Sequence, residues 1–218
     1  MEIIKSEKGF LTILTGKTGM GKSTITVYDA SEFLKSGQSV MFFSYEYCQS
    51  IIVNKLVNHF GMSWSTLLRL NIVDAAGLNI HILEEMLRTK KDSVDAVYID
   101  YLDLLKEATY AKANSDAEDK KQIQNIVSEL AALAKELNIP IILLSQAGAH
   151  SKFEDTINEL DVFTEKVKTN NVIKMFIGKA NIIDSRINYD DIVHLILIDG
   201  YDLRHFSSIN IKEIYKDS

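Results

Sequence analysis

Gly16, Lys17, Thr18, Gly19, Met20, Gly21, Lys22 and Ser23 fit the spacing G-x-x-x-x-G-K-[S/T]. Each residue type in that pattern has chemical work to do. Gly19 and Gly21 let backbone N–H groups curl around phosphate oxygens without a Cβ in the way. The start of the following helix adds its partial positive charge. Lys22 can reach the outer phosphates, and the Ser23 hydroxyl can ligate a divalent cation. The competing reading is a chance glycine turn before a helix. Gly16 to Ser23, with Thr24 in the same first turn, form the candidate nucleotide-binding segment.

Three further polar residues stand at the ends of apolar runs. Asp100 closes Ala96-Val97-Tyr98-Ile99, Glu46 follows Met41-Phe42-Phe43-Ser44-Tyr45, and Gln146 closes Ile141-Ile142-Leu143-Leu144-Ser145. In an open α/β sheet the carboxyl ends of the strands face the ligand crevice. Asp100 is therefore the candidate partner of Ser23 at a magnesium ion. Glu46 could position an attacking water, and the Gln146 amide could sense a phosphate as donor and acceptor. On spacing alone Glu46 and Gln146 are weak candidates, because polar residues often end strands. Asp103 reads as a solvated loop acid.

These positions need a scaffold, and the chain supplies one. Apolar runs alternate with helical stretches, which predicts an α/β fold with a mostly parallel, twisted sheet flanked by helices. Strands are expected at Phe10–Thr15, Ser39–Ser44, Leu70–Asp74, Ala96–Ile99, Ile141–Leu144, Val172–Ile177 and Ile192–Ile198, with a last one at Ser208–Ile214. Helices are expected at Lys22–Lys35, Ser50–Phe60, Ile80–Arg88 and Ile123–Leu137, the last with a clear apolar stripe. Residues 106–120 and 147–171 lack apolar period and read as mobile surface loops. No repeat or Pro/Gly/Ser-rich linker divides the chain, so residues 1–218 read as one domain.

Composition narrows the classes. The chain has 218 residues, 46% of them hydrophobic and 25% charged, values of an ordinary globular protein. Its single cysteine, Cys48, rules out an internal disulfide framework and a cysteine-built zinc site. No apolar run approaches the ~20 residues of a membrane span, and no signal-type segment opens the chain. The expected compartment is the cytoplasm, whether of a cell or of a virus's host, with no membrane partner. A net charge of −6 argues against coating nucleic acid through bulk charge.

Taken together, these segments resemble the RecA-like P-loop ATPase core of the DnaB-type replicative helicases. The residues that carry the resemblance run from Gly9 to Gln146. They are GFLTILTGKTGMGKS, then FFSYEY against the family's F-F-S-L-E-M, then LNIVDAAGLNIHILEEML, YIDYLDLL and LAALAKELNIPIILLSQ. The resemblance implies ATP and Mg²⁺ as ligands, with Lys22, Glu46 as catalytic base and Gln146 as sensor in the catalytic set. It implies that residues 147–171 form a DNA-contacting loop. It also implies action on single-stranded DNA in replication or recombination, assembly into a ring or filament, and contacts with replication proteins. Only eight residues precede Gly9, so the family's N-terminal domain is not expected here.

One departure concerns the family's lysine and arginine finger. The equivalent turn puts Gly200 and Asp202 near those positions. Arg204 and Lys179 are the nearest cations, and they are the candidate finger residues. Two alternative readings follow from it: a degenerate module that binds nucleotide or a partner without turnover, and a RecA- or KaiC-like recombination or regulatory ATPase.

Overall fold

The computed structural model describes residues 3–147, 153–165, 170–179, 192–199 and 202–210. Its backbone is an eight-stranded sheet in the order β3-β2-β4-β5-β1-β6-β7-β8. The strands are β1 (Leu11–Gly16), β2 (Val40–Ser44), β3 (Leu70–Asp74), β4 (Ala96–Asp100), β5 (Ile141–Gln146), β6 (Val172–Lys179), β7 (Ile192–Asp199) and β8 (Asp202–Asn210). All pairings from β3 to β6 are parallel, and β7 and β8 run antiparallel at the far edge. The helices are α1 (Lys22–Lys35), α2 (Gln49–Asn58), α3 (Trp64–Leu67), α4 (Ile80–Lys90), α5 (Leu102–Thr109), α6 (Asp116–Leu137) and α7 (Phe153–Thr164). The expected mostly parallel sheet flanked by helices is the architecture found.

The central strands are apolar on both faces because both faces are covered. Leu11, Ile13, Met41, Phe43, Val97, Ile99, Ile141 and Leu143 point into a core shared with α4, α5, α6 and α7. Leu14, Phe42, Ala96, Tyr98, Ile142 and Leu144 point into a second core with α1, α2 and Ile3–Ile4. The period-2 alternation of strand side chains thus splits one continuous hydrophobic run between two layers. A buried carboxylate ties the second layer together. Asp29 on α1 accepts from the Tyr98 hydroxyl at 2.7 Å and from the Ile4 N–H at 3.2 Å.

Both stretches expected to be loops contain helix. Within 106–120, α5 runs on to Thr109 and α6 begins at Asp116, leaving only 110–115 irregular. Leu102 and Leu105 bury α5 against the sheet, and Lys106 Nζ reaches Asp119 Oδ1 at 2.7 Å. Ser115 caps α6 by accepting from the Glu118 N–H, and the Glu118 carboxylate accepts from the Asn114 N–H at 2.7 Å. Asp116, Glu118 and Asp119 in the first turn suit the positive end of the helix dipole. Within 147–171, α7 packs Leu160 and Phe163 into the core. The Gln124 side chain donates to Val162 O at 2.8 Å, and Lys174 pairs with Asp161. The rest of that stretch, 148–152 and 166–169, lies outside the described residues, as does the expected strand end at Ile214. The final strand begins at Asp202 rather than Ser208, because it forms a hairpin with β7. The short helix α3 has no counterpart among the elements expected from the sequence.

Gly16 is fixed by the sheet itself. A Cβ on it would lie 2.5 Å from Ile177 O and 2.6 Å from Ile177 Cγ2 on β6. Backbone cannot swing away as a side chain can. Gly16→Ala is therefore expected to force β1 and β6 apart and cost about 1–3 kcal/mol, the usual range for overpacking. Chemical denaturation should show a lowered midpoint at unchanged slope.

Candidate nucleotide site

The register of the parallel strands assembles the site. Ser44 pairs with Asp100 across β2–β4, and Gly16 pairs with Gln146 across β1–β5. In the order β2-β4-β5-β1, four strands therefore end side by side, each delivering one candidate group. The backbone past the strand ends is also tied. Tyr45 N–H donates to Asp100 O at 2.8 Å, and Ala147 N–H donates to Gly16 O at 3.2 Å.

The loop between β1 and α1 turns through Gly19 at φ 78° and Gly21 at φ 85°, both in the left-handed region that glycine tolerates. Gly21 is the N-cap of α1 and makes no side-chain cap, so the first N–H groups of the helix remain for a ligand. Lys22 folds back over the loop. Its Nζ donates to Gly16 O at 2.5 Å and to Lys17 O at 2.9 Å. Burial pushes the Lys22 ammonium below its ordinary pKa, against the pull of Asp100, Glu46 and Asp103.

A cleft of about 300 Å³ brings these elements together. Thr18, Gly19, Gly21, Lys22, Ser23, Thr24, Glu46, Asp100 and Gln146 all line it. Gly16, Lys17 and Met20 belong to the loop but do not line the cleft. Asp100 is only 3% exposed, and its carboxyl is pushed up to about 6. Burial is the main cause. The Ser23 hydrogen bond opposes it, the nearby Glu46 charge adds to it, and Lys22 and Lys55 oppose it. A buried carboxylate held beside a serine hydroxyl suits a hard divalent cation, which prefers oxygen ligands and would supply the missing positive charge. Glu46, by contrast, is exposed at the mouth.

Three residues of the cleft are not marked by the sequence reading: Tyr47, Lys55 and Tyr101. Lys55 lies on α2 at a helical distance from the loop that carries Glu46, so no linear motif marks it. Asp103 stands in the first turn of α5, where burial raises its pKa, and is not the solvated loop acid expected. Arg204 lies on β8 opposite Leu197, and Lys179 ends β6 opposite Val193. Their side chains lie outside the described residues, as does the turn at 200–201.

Comparison with known proteins agrees with this arrangement. Residues 62–155 match the DnaB-like helicase C-terminal domain. That span holds Asp100 and Gln146, while the glycine loop and Glu46 lie ahead of it. A probable plasmid replicative DNA helicase of Chlamydia trachomatis is 29% identical over 186 residues, 72% of this chain and 39% of that protein. One of Chlamydia muridarum is 36% identical over 90 residues, 40% of this chain and 18% of that protein. The chain thus spans about two fifths of the first relative's length, 39%. Among solved structures, an isolated ATPase domain superposes with a TM-score of 0.71 at 20% identity, covering 96% of this chain and 84% of that one. A DnaB-like replicative helicase, solved in a study of its interactions with primase, gives a TM-score of 0.68 at 20% identity, covering 94% and 56%. Among the described residues, no helix is long and apolar enough to cross a membrane.

Proposed function

We propose that this chain, which resembles a DnaB-like helicase ATPase core in fold and sequence, binds Mg-ATP and hydrolyses it in work on single-stranded DNA during replication. The observation that carries the reading is the cleft into which four neighbouring strand ends deliver the glycine loop, Glu46, Asp100 and Gln146.

The division of labour follows from the groups. The loop N–H groups and Lys22 bind and orient the phosphates, at the cost of the Lys22 bonds to Gly16 O and Lys17 O. Ser23 and Asp100 would hold Mg²⁺, which supplies charge neutralisation at the phosphates when bound. Glu46, at the solvent-facing mouth, takes a proton from water. Gln146, one residue before the chain leaves β5 toward α7, relays phosphate state to the segment after the sheet. The names of the relatives support DNA as the partner and replication as the setting. Self-association supports a complete site, since the cleft is open to solvent on one side.

The test is phosphate release with and without single-stranded DNA, run beside light-scattering mass in ATP. DNA-stimulated turnover by an assembly of several copies is expected. Equal turnover by a monomer without DNA would refute the motor reading, and tight ATP binding with negligible turnover would leave a nucleotide-binding module in its place.

A further inference from the structure

Tyr47 stands beside Glu46 and has no role in the scheme above. Its backbone is locked. The Ser44 hydroxyl donates to Tyr47 O at 2.7 Å, and the Tyr47 N–H donates to Ser44 Oγ at 3.1 Å. Ser44 is itself buried and registered against Asp100. The ring is held from the other side by Lys55, whose Nζ lies 5.5 Å from the ring centroid, within cation–π range. Both residues line the cleft with Glu46. The Tyr47 hydroxyl donates a hydrogen bond to the Glu46 side chain.

Glu46 needs such a partner. It is exposed, and an exposed glutamate spreads over many rotamers. A general base works only when held within reach of the proton it takes. The F-F-S-L-E-M element that this segment resembles carries methionine where Tyr47 stands, and a thioether has no proton to donate. The tyrosine is thus a feature of this chain.

We propose that Tyr47 is a positioning residue: braced by Ser44 and Lys55, its hydroxyl holds the Glu46 carboxylate in the orientation that serves hydrolysis. The proposal rests on the reading of Glu46 as the base. It assigns no binding of ATP to the hydroxyl.

The experiment uses the full chain with Tyr47→Phe, Glu46→Gln and the double variant. Each is assayed for kcat and KM with ATP, and in single turnover over long times where steady-state rates are small. Phenylalanine keeps the ring under Lys55 and removes only the hydroxyl. Tyr47→Phe is expected to lower kcat about tenfold with KM within about twofold, a loss typical of a displaced but present catalytic group. In the Glu46→Gln background the same change should add nothing. Wild-type kcat in Tyr47→Phe, with Glu46→Gln inactive, overturns the inference alone. An equal fractional loss in both backgrounds also overturns it, because the hydroxyl then acts through something other than Glu46. Full turnover in Glu46→Gln overturns the base assignment and the inference with it.

Discussion

Lys22→Ala is expected to lose both ATP binding and turnover, while Glu46→Gln loses turnover and keeps binding. Lys22 is the cation that the glycine loop wraps, bound at 2.5 Å and 2.9 Å to Gly16 O and Lys17 O. It feels the charges of three carboxylates, Asp100, Glu46 and Asp103. Alanine removes the positive charge and leaves the negative ones. Phosphates entering the cleft would then meet repulsion with Lys55 as the remaining lysine of its lining. Loss of one preorganised donor costs about 10²–10³ in rate, and the loss of ground-state attraction adds a fall in affinity. A drop of about 100-fold in affinity corresponds to roughly 3 kcal/mol. Glu46→Gln preserves shape at the exposed mouth and deletes only the proton acceptor, so a loss of about 10²–10⁴ in kcat is expected at near-constant KM. Calorimetric ATP titration and phosphate release separate the two variants. Wild-type affinity in Lys22→Ala would show that the loop does not cradle the phosphates.

Much of this site is legible in the sequence, because its residues sit at strand ends and strands are short apolar runs with sharp limits. Asp100 and Gln146 each close such a run, and parallel register then brings the ends level. The glycine loop is a local motif whose backbone demands show in residue types. Polar stretches are where sequence reading goes astray. Residues 106–120 contain Ser115-Asp116-Ala117-Glu118, a helix-start signal that is easy to overlook because the segment lacks an apolar stripe. In α7 the stripe is present at Ile157, Leu160 and Phe163, but charged neighbours mask it. Its stability comes from tertiary contacts with α6 and β6, which no local pattern reports. Lys55 and Tyr47 are hidden for a related reason. They reach the cleft from a helix and a loop whose placement depends on α2 packing through Ile52 and Leu56.

Asp100→Asn is expected to stabilise the nucleotide-free protein at neutral pH and to abolish its response to Mg-ATP. The folded state raises the Asp100 pKa from 3.8 to about 6. A raised carboxyl pKa means that the native state binds the proton more tightly than the unfolded chain does. Stability therefore falls as pH climbs between these two values and is fully reduced above about 6. A rise of that size corresponds to about 3 kcal/mol. Asparagine cannot ionise, so the variant escapes this cost and can keep a hydrogen bond to Ser23. In thermal unfolding without nucleotide, Asp100→Asn should melt several degrees above wild type at pH ~7.5. The gap should close as pH is lowered toward ~4, near the ordinary aspartate pKa, where the wild-type carboxyl is protonated in the folded protein and largely so in the unfolded chain. Mg-ATP should reverse the order, because a ligand that binds only the native state raises the melting point of the protein that can hold it. The wild type has the carboxylate to pair with the ion and gains; the variant lacks it and does not. A variant no more stable than wild type at neutral pH would show that the Asp100 carboxylate carries no burial cost. A variant equally stabilised by Mg-ATP would remove Asp100 from the metal site. The two outcomes are independent, so one titration of melting temperature against pH, with and without Mg-ATP, separates the electrostatic cost of the buried acid from its use.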